Sequence, residues 1–428
     1  MTRTTQTLNH SDDLADSVPA LSPEPSETVS PLADGSADIP RRTRRRGALR
    51  ARLRGIAVSA IGNVLLLLGS AAMTALVGEG LVRWLAPQQL VTRRIDIFTP
   101  VDTLGWEHRP NVHTLVNTGE RTVHFDTDAD GFRISHAGPV VADHRILLIG
   151  DSFMAAAQVE YDSSLAGLLE RRLPGRLGKP VEVQNAAVTA WDPPQYYYRA
   201  RRMLEHRQYD LVLVSIFLGN DINARGLAPL KPRAEAEIHS LRWPRNLSKR
   251  EIIDAVFYPI NDHLTEDSEL FVLLKKKAQL LLMRAGLTAL YFPDDFLKRE
   301  AKSPRWEMTA EICAQIADLA KQHNVPVLFF LVPTDFQVNQ STFRQYVRGF
   351  HIDPSSVDIA QPNRLFGSAL KERGLHFIDA LPAFREIRNQ RPLYGSVDPH
   401  FSAAGHDALE RLIEPSVVAY MQSAAQRQ

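Results

Sequence analysis

"ILLIGDSFMAA", Ile146 to Ala156, decides how the rest of the chain is read. A short apolar run that stops at a glycine is the pattern of a strand buried on both faces. Gly150-Asp151-Ser152 then delivers a serine directly at the strand's end. Taken alone, Gly-Asp-Ser is commonly a turn with a capping serine. Its meaning depends on what other segments bring to the same place.

The same pattern recurs downstream. Apolar strand candidates are "VEVQNA" (181–186), "LVLVSIFLG" (211–219), "VPVLFFLVP" (325–333) and "LHFID" (375–379). Helical runs separate them: "SSLAGLLERRL" (163–173), with Asp162 as N-cap and Pro174 as a stop, "PQYYYRARRMLEH" (194–206) and "WEMTAEICAQIADLAKQH" (306–323). Near-continuous apolar strands alternating with helices predict an α/β fold whose central parallel sheet of about five strands is covered on both faces. A long insertion, about 221–305, separates the third and fourth strands. Within it "QLLLMRAGLTALYF" (279–292) is broken by Arg284, is too short to span a bilayer, and reads as a core helix.

In an open parallel sheet, functional groups gather at the carboxyl ends of the strands. Strand one ends in Gly150-Asp151-Ser152, strand two in "NAAVTAW" (185–191) and strand three in Gly219-Asn220-Asp221. Beyond strand five comes "SVDPHFSAAGH", Ser396 to His406. Serine, asparagine, aspartate and histidine thus reach one edge, which is the set that acyl transfer needs. A serine hydroxyl is a poor nucleophile until a base takes its proton, and His400 can do so. Asp398 stands two residues before it, so in extended backbone its carboxylate can lie beside the ring, fixing the tautomer and stabilising the imidazolium. The oxyanion needs donors: the Asn220 side chain, the Ser152 backbone N–H and an N–H from the "NAAVTA" loop. Asp151 and Asp221 read as loop hydrogen-bonders, the "YYY" at 196–198 as packing, and His406 as structural or surface. No cysteine–histidine–carboxylate cluster has metal-ligand spacing and no glycine-rich phosphate loop follows strand one, so no cofactor is expected. The single cysteine, Cys313, cannot form an internal disulfide and reads as a small buried hydrophobe.

The N-terminal third is of another kind. Residues 1–40 are rich in Ser, Thr, Asp and Pro without apolar periodicity, and read as a disordered tail. Residues 41–55 carry eight arginines, Arg41 to Arg54, and no acid. That run suits either a nucleic-acid-binding arm or the cytoplasmic flank of a membrane helix. The adjoining segment favours the flank. Ile56 to Gly78 is uncharged, and as a helix it reaches roughly 35 Å, enough for a hydrocarbon core of about 30 Å. The helix is expected over 56–85, with a Glu79–Arg83 pair and Trp84 at its end. A cleaved signal peptide and a buried core helix are the plainer alternatives. The one-sided arginines predict a single-pass anchor in the inner or plasma membrane, N-terminus cytoplasmic, with Arg41–Arg54 against anionic lipid headgroups and the bulk of the chain outside. Residues 86–142 hold short β-favouring runs between Asn, Gly and Asp turns, a strand-rich lead-in. The net charge of +1 gives no global field for nucleic acid.

"GDSF" (150–153), "NAAVTAW" (185–191), "GND" (219–221) and "DPHFSAAGH" (398–406), in this order, resemble the four blocks of SGNH/GDSL-type serine hydrolases. The resemblance covers roughly Arg145 to the C-terminus, within a domain taken as 143–428. It implies a flavodoxin-like three-layer α/β/α fold, an esterase or O-acetyltransferase activity without a cofactor, Ser152 as nucleophile, Asn220 as oxyanion donor, and Asp398 with His400 as the acid–base pair. The leading membrane helix and "LGWEHRPN…DADGFR" also look like a bacterial membrane-anchored branch related to enzymes that modify O-acetyl groups of cell-surface polysaccharides. A membrane partner that supplies acyl groups is conceivable in that setting. Two departures stand out. Ala190 occupies the position where the family usually has an oxyanion-hole glycine, and its N–H serves if φ stays negative. The pair is spaced Asp-x-His rather than the more frequent Asp-x-x-His, as in polysaccharide-acetylating relatives. The rival reading is a non-catalytic glycan-binding envelope protein on the same fold.

Overall fold

In the computed structural model of the chain, residues 41–88, 90, 95–222, 226–230, 258–284, 292–396 and 398–425 are described. The tail at 1–40 and much of the insertion lie outside them. Two compact units divide at Ala71/Ala72. The described part of the first is helix. That helix, Arg41–Leu85, begins well before the apolar run and continues into the second unit. Its stretch Arg54–Leu85 is long and apolar enough to cross a membrane, and Leu65, Leu66, Leu67 and Leu68 are all exposed along it.

The second unit is built on an eight-stranded sheet. Strands β1 (Phe98–Val101) and β2 (Gly105–His108) form a separate antiparallel pair. The main sheet contains β3 (His113–Asn117), β4 (Thr122–Thr127), β5 (Arg133–Ile134), β6 (His144–Ile149), β7 (Val181–Asn185), β8 (Leu211–Phe217), β9 (Val327–Val332) and β10 (Phe377–Asp379), in the order β10-β9-β8-β6-β7-β5-β4-β3. The five strands from β6, β7, β8, β9 and β10 are parallel, and they are the five expected from the apolar runs. Counted along the chain their order is 2-1-3-4-5, the flavodoxin-like arrangement. Strands β3, β4 and β5 extend this sheet as an antiparallel edge, joined through the register pair Arg133–Asn185. The lead-in therefore shares the sheet itself.

The period-two alternation of strand side chains sorts the core into two faces. Ile146, Leu148, Leu211, Leu213, Leu328 and Phe330 point to one; Leu147, Ile149, Val212, Val214, Phe329 and Leu331 point to the other. The first face is covered by helices Leu165–Leu177, Leu381–Ile387 and Ala403–Ala425. Helices Pro193–His206, Arg305–Gln322 and Gln361–Glu372 cover the second, with Cys313 fully buried among them. Tyr196 of the "YYY" run is buried there as packing, and His406 is buried at the start of the last helix.

Two local expectations are corrected. Ser164, not Asp162, caps the helix Leu165–Leu177, because its hydroxyl accepts from Gly167 N–H. Pro174 does not stop that helix. Its fixed φ is itself helical, and the helix ends one turn later at Gly178, whose φ of 70° suits glycine. Of the run 279–292, expected as a core helix, residues 285–291 lie outside the described residues, and the leucines before them differ from a core helix. In Glu269–Arg284, Val272 is buried, whereas Leu274, Leu281 and Leu282 are exposed.

The turn after β6 has no room for a side chain at position 150. A Cβ there would stand 2.8 Å from Met154 Cγ and 2.9 Å from Ser215 Cβ. Both neighbours are packed within the core, so Gly150→Ala is expected to destabilise the fold by about 1–3 kcal/mol, the usual cost of overpacking. Chemical denaturation checks this: a midpoint equal to wild type would contradict the close approach.

Candidate active site

β6 ends at Ile149, and the chain turns through Gly150 into a one-turn helix, Ser152–Ala155. Asp151 caps it, its Oδ1 accepting from Phe153 N–H at 3.0 Å. Ser152 is thus the first helical residue, and its own N–H has no partner within so short a helix. Phe153 is the buried wedge behind the site. Its ring lies 4.2 Å from Phe217, 4.7 Å from His400 and 4.8 Å from Phe401, centroid to centroid.

The carboxyl edge of the sheet brings Ser152 and His400 together across 248 residues of chain. His400 Nε2 stands 2.7 Å from Ser152 Oγ, and His400 Nδ1 is hydrogen-bonded to Asp398 Oδ1. With the Nδ1 proton donated to the carboxylate, Nε2 is left to accept from the serine hydroxyl. Asp398 Oδ1 also accepts from the His400 backbone N–H at 3.2 Å, as the Asp-x-His spacing allows. Asp398 is mostly buried, and burial alone would raise its pKa. The hydrogen bond and charge of His400, with a further hydrogen bond from Gln158, outweigh that and hold it near 2. The carboxylate is therefore ionised at neutral pH.

Behind this row sit two more carboxylates. Asp221 Oδ2 accepts from Phe217 N–H at 2.8 Å and from the Tyr196 hydroxyl at 3.0 Å. Both Asp151 and Asp221 are buried close together, and desolvation pushes both pKa values up, Asp221 further through the charge of Asp151. Each hydrogen-bonds its own loop. Among the described residues, no group of His, Cys, Asp and Glu could hold a metal ion.

The oxyanion candidates stand differently. Asn220 is exposed at the end of β8. Ala190 is also exposed, but its φ is 63°, so the expectation of a negative φ is overturned. The loop is pinned on either side: Trp106 Nε1–H donates to Thr189 O at 3.0 Å, and Trp191 Nε1–H donates to Trp106 O at 2.9 Å. That pinning imposes a left-handed residue where the chain supplies an alanine instead of glycine.

Sequence reading missed the supports. Gln158 donates to Asp398 Oδ2 at 3.0 Å. Glu120, at the tip of the β3–β4 hairpin, accepts from Asp398 N–H at 3.1 Å and from Ser396 Oγ at 3.2 Å. Trp106 comes from the lead-in as well. The only signal these gave was a polar or aromatic residue in a turn-rich segment, which is no signal without the fold.

The model of the GDSL-like lipase/acylhydrolase family matches residues 148–408. The match runs from the end of β6 into the last helix and takes in Ser152, Asn220, Asp398 and His400. The chain belongs to this family of ester-hydrolysing enzymes. No curated protein matches it. Among solved structures, TesA is 12% identical, covering 65% of this chain and 99% of its own, with a TM-score of 0.34. A catalytic mutant of Axe2, an acetylxylan esterase from Geobacillus stearothermophilus, is 13% identical over 65% of this chain and 96% of its own, at 0.34. A member of the lipolytic G-D-S-L family from Veillonella parvula is 9% identical over 64% and 97%, at 0.33.

Holding an L-residue left-handed costs about 1–2 kcal/mol, partly offset here because glycine loses more chain entropy on folding. Ala190→Gly is therefore expected to raise stability by about 0.5–1 kcal/mol with ester hydrolysis retained. A lower denaturation midpoint in the variant would contradict the strain at this position.

Proposed function

We propose that this hydrolase is a membrane-anchored serine enzyme that transfers acyl groups from O-esters, with O-acetyl groups of a cell-envelope glycan as its substrate class. The observation that carries the reading is the unbroken row Ser152–His400–Asp398, with 2.7 Å between the serine oxygen and the imidazole. Ser152 Oγ attacks the ester carbonyl while His400 Nε2 takes its proton. Asp398, ionised, stabilises the imidazolium and keeps the ring in its tautomer. The oxyanion is held by the backbone N–H of Ser152 and by the Asn220 side chain; Ala190, at φ 63°, does not meet the condition under which its N–H would serve. His400 then protonates the departing alkoxide, leaving an acyl-serine. Water, deprotonated by His400, releases the acid and regenerates Ser152; a sugar hydroxyl in the same position gives transfer.

The glycan substrate is supported by the Asp-x-His spacing, shared with the polysaccharide-acetylating relatives the sequence resembles. Anchoring is supported by the apolar helix Arg54–Leu85, with eight arginines (Arg41 to Arg54) at its N-terminal end against three (Arg83, Arg93 and Arg94) at the other, an excess that favours a cytoplasmic N-terminus and an outward catalytic domain. The arginines would then meet anionic headgroups, and an acyl-supplying membrane partner would serve the transfer route.

Kinetics of p-nitrophenyl acetate hydrolysis test the reading. Ser152→Ala is expected to abolish turnover, and Asp398→Asn to lower kcat by about 10³–10⁴-fold by releasing the wrong tautomer. Wild-type turnover in Ser152→Ala would sink the mechanism, and absence of turnover in the folded wild-type protein would favour a glycan-binding role for this edge.

A further inference from the structure

Arg133 is wholly buried, yet among the described residues no carboxylate lies within ion-pair distance of it. Its guanidinium instead donates to main-chain carbonyls. Nη1 reaches Ala155 O at 2.7 Å and Ala156 O; Nη2 reaches Val159 O at 2.7 Å and His124 O at 3.3 Å. The Phe125 ring lies 5.0 Å below it. Ala155 is the last residue of the serine's helix, and Ala156 is its left-handed cap, with φ at 55°.

A cation in a dry interior is costly, and an apolar residue of similar volume would commonly serve the core as well or better. Burial accordingly pulls the Arg133 pKa down to about 10. A planar fork can nevertheless do what no apolar side chain can, which is to bind several carbonyls in fixed geometry. The four carbonyls include three from one short segment, residues 155–159. One end of that segment is the helix that starts with Ser152. Near its other end Gln158 donates to Asp398. The carbonyl of Met154, one residue before the segment, is taken by Asn185 Nδ2 at 2.8 Å, and Asn185 is the β7 residue opposite Arg133 in the sheet.

We propose that Arg133 is a positioning residue for the reaction: by gripping the 155–159 segment it fixes at once the helix that presents Ser152 and the Gln158 amide that aligns Asp398 behind His400. The lead-in strand β5 thereby sets the geometry of a site to which it contributes no reacting atom. This rests on the assignment of Ser152, His400 and Asp398 above.

The test uses the full-length protein and p-nitrophenyl acetate, with active sites counted by a fluorophosphonate probe. Arg133→Lys keeps the charge but loses the fork; Gln158→Leu removes the amide while leaving Arg133 in place. Each is expected to lower kcat per titrated site about 10- to 100-fold with KM little changed, the effect of slightly misplaced reacting groups. The double variant should be within about twofold of the weaker single variant, because both act on one path. Fewer titratable sites with wild-type kcat at each would show a merely structural arginine and overturn the proposal. So would multiplicative losses in the double variant. Should Arg133→Lys fail to fold, wild-type kcat in Gln158→Leu alone would still refute it. Wild-type protein that takes up no probe would instead refute the assignment of Ser152 on which the proposal stands.

Discussion

The charge on Asp398 is the constraint on which the site depends. Burial works against it, and the carboxylate stays ionised because donors converge from separate parts of the chain. His400 reaches it from two residues away, Gln158 from the loop after the serine's helix, and Glu120 holds its backbone from the lead-in hairpin. A buried charge loses several kcal/mol if one such partner is removed. The loops that carry the reacting groups are therefore fixed relative to one another by the need to keep one carboxylate solvated by protein.

The lead-in gains its importance from the same logic. It touches three of the four segments at the carboxyl edge: Trp106 pins the turn at Thr189–Ala190–Trp191, Glu120 holds the Asp398 turn, and Arg133 grips the segment after Ser152. Glu120 and Arg133 do so because β3, β4 and β5 continue the sheet beside β7, whereas Trp106 reaches its loop from the separate β1–β2 pair. A loop held this firmly can keep an alanine at φ 63°, where a free loop would relax or require glycine.

The sequence made the α/β layers legible because buried parallel strands are apolar throughout. All five such strands and their order along the chain could be read, and with them the edge at which Ser152, Asp398 and His400 meet. The helix ends were less legible. Pro174 has a helical φ whether it stops a helix or sits in its final turn, so composition could not place the end at Gly178. Ala190's backbone angle depends on the two tryptophan hydrogen bonds, which are long-range contacts. Arg133, Gln158 and Glu120 act through contacts with segments 22 to 278 residues away; Arg133 falls in the "DADGFR" stretch, but nothing local shows what it grips, and no local pattern marks the other two. The membrane-length helix was visible as an uncharged run, although the helix itself starts earlier, at Arg41.

The most direct measurement is covalent labelling of the full-length protein with a fluorophosphonate, followed by peptide mapping of the modified residue. An activated Ser152 predicts stoichiometric labelling at that residue, lost in His400→Ala while the variant remains folded. Labelling at another serine, or equal labelling of the folded His400→Ala protein, would contradict the proton path from Ser152 to His400.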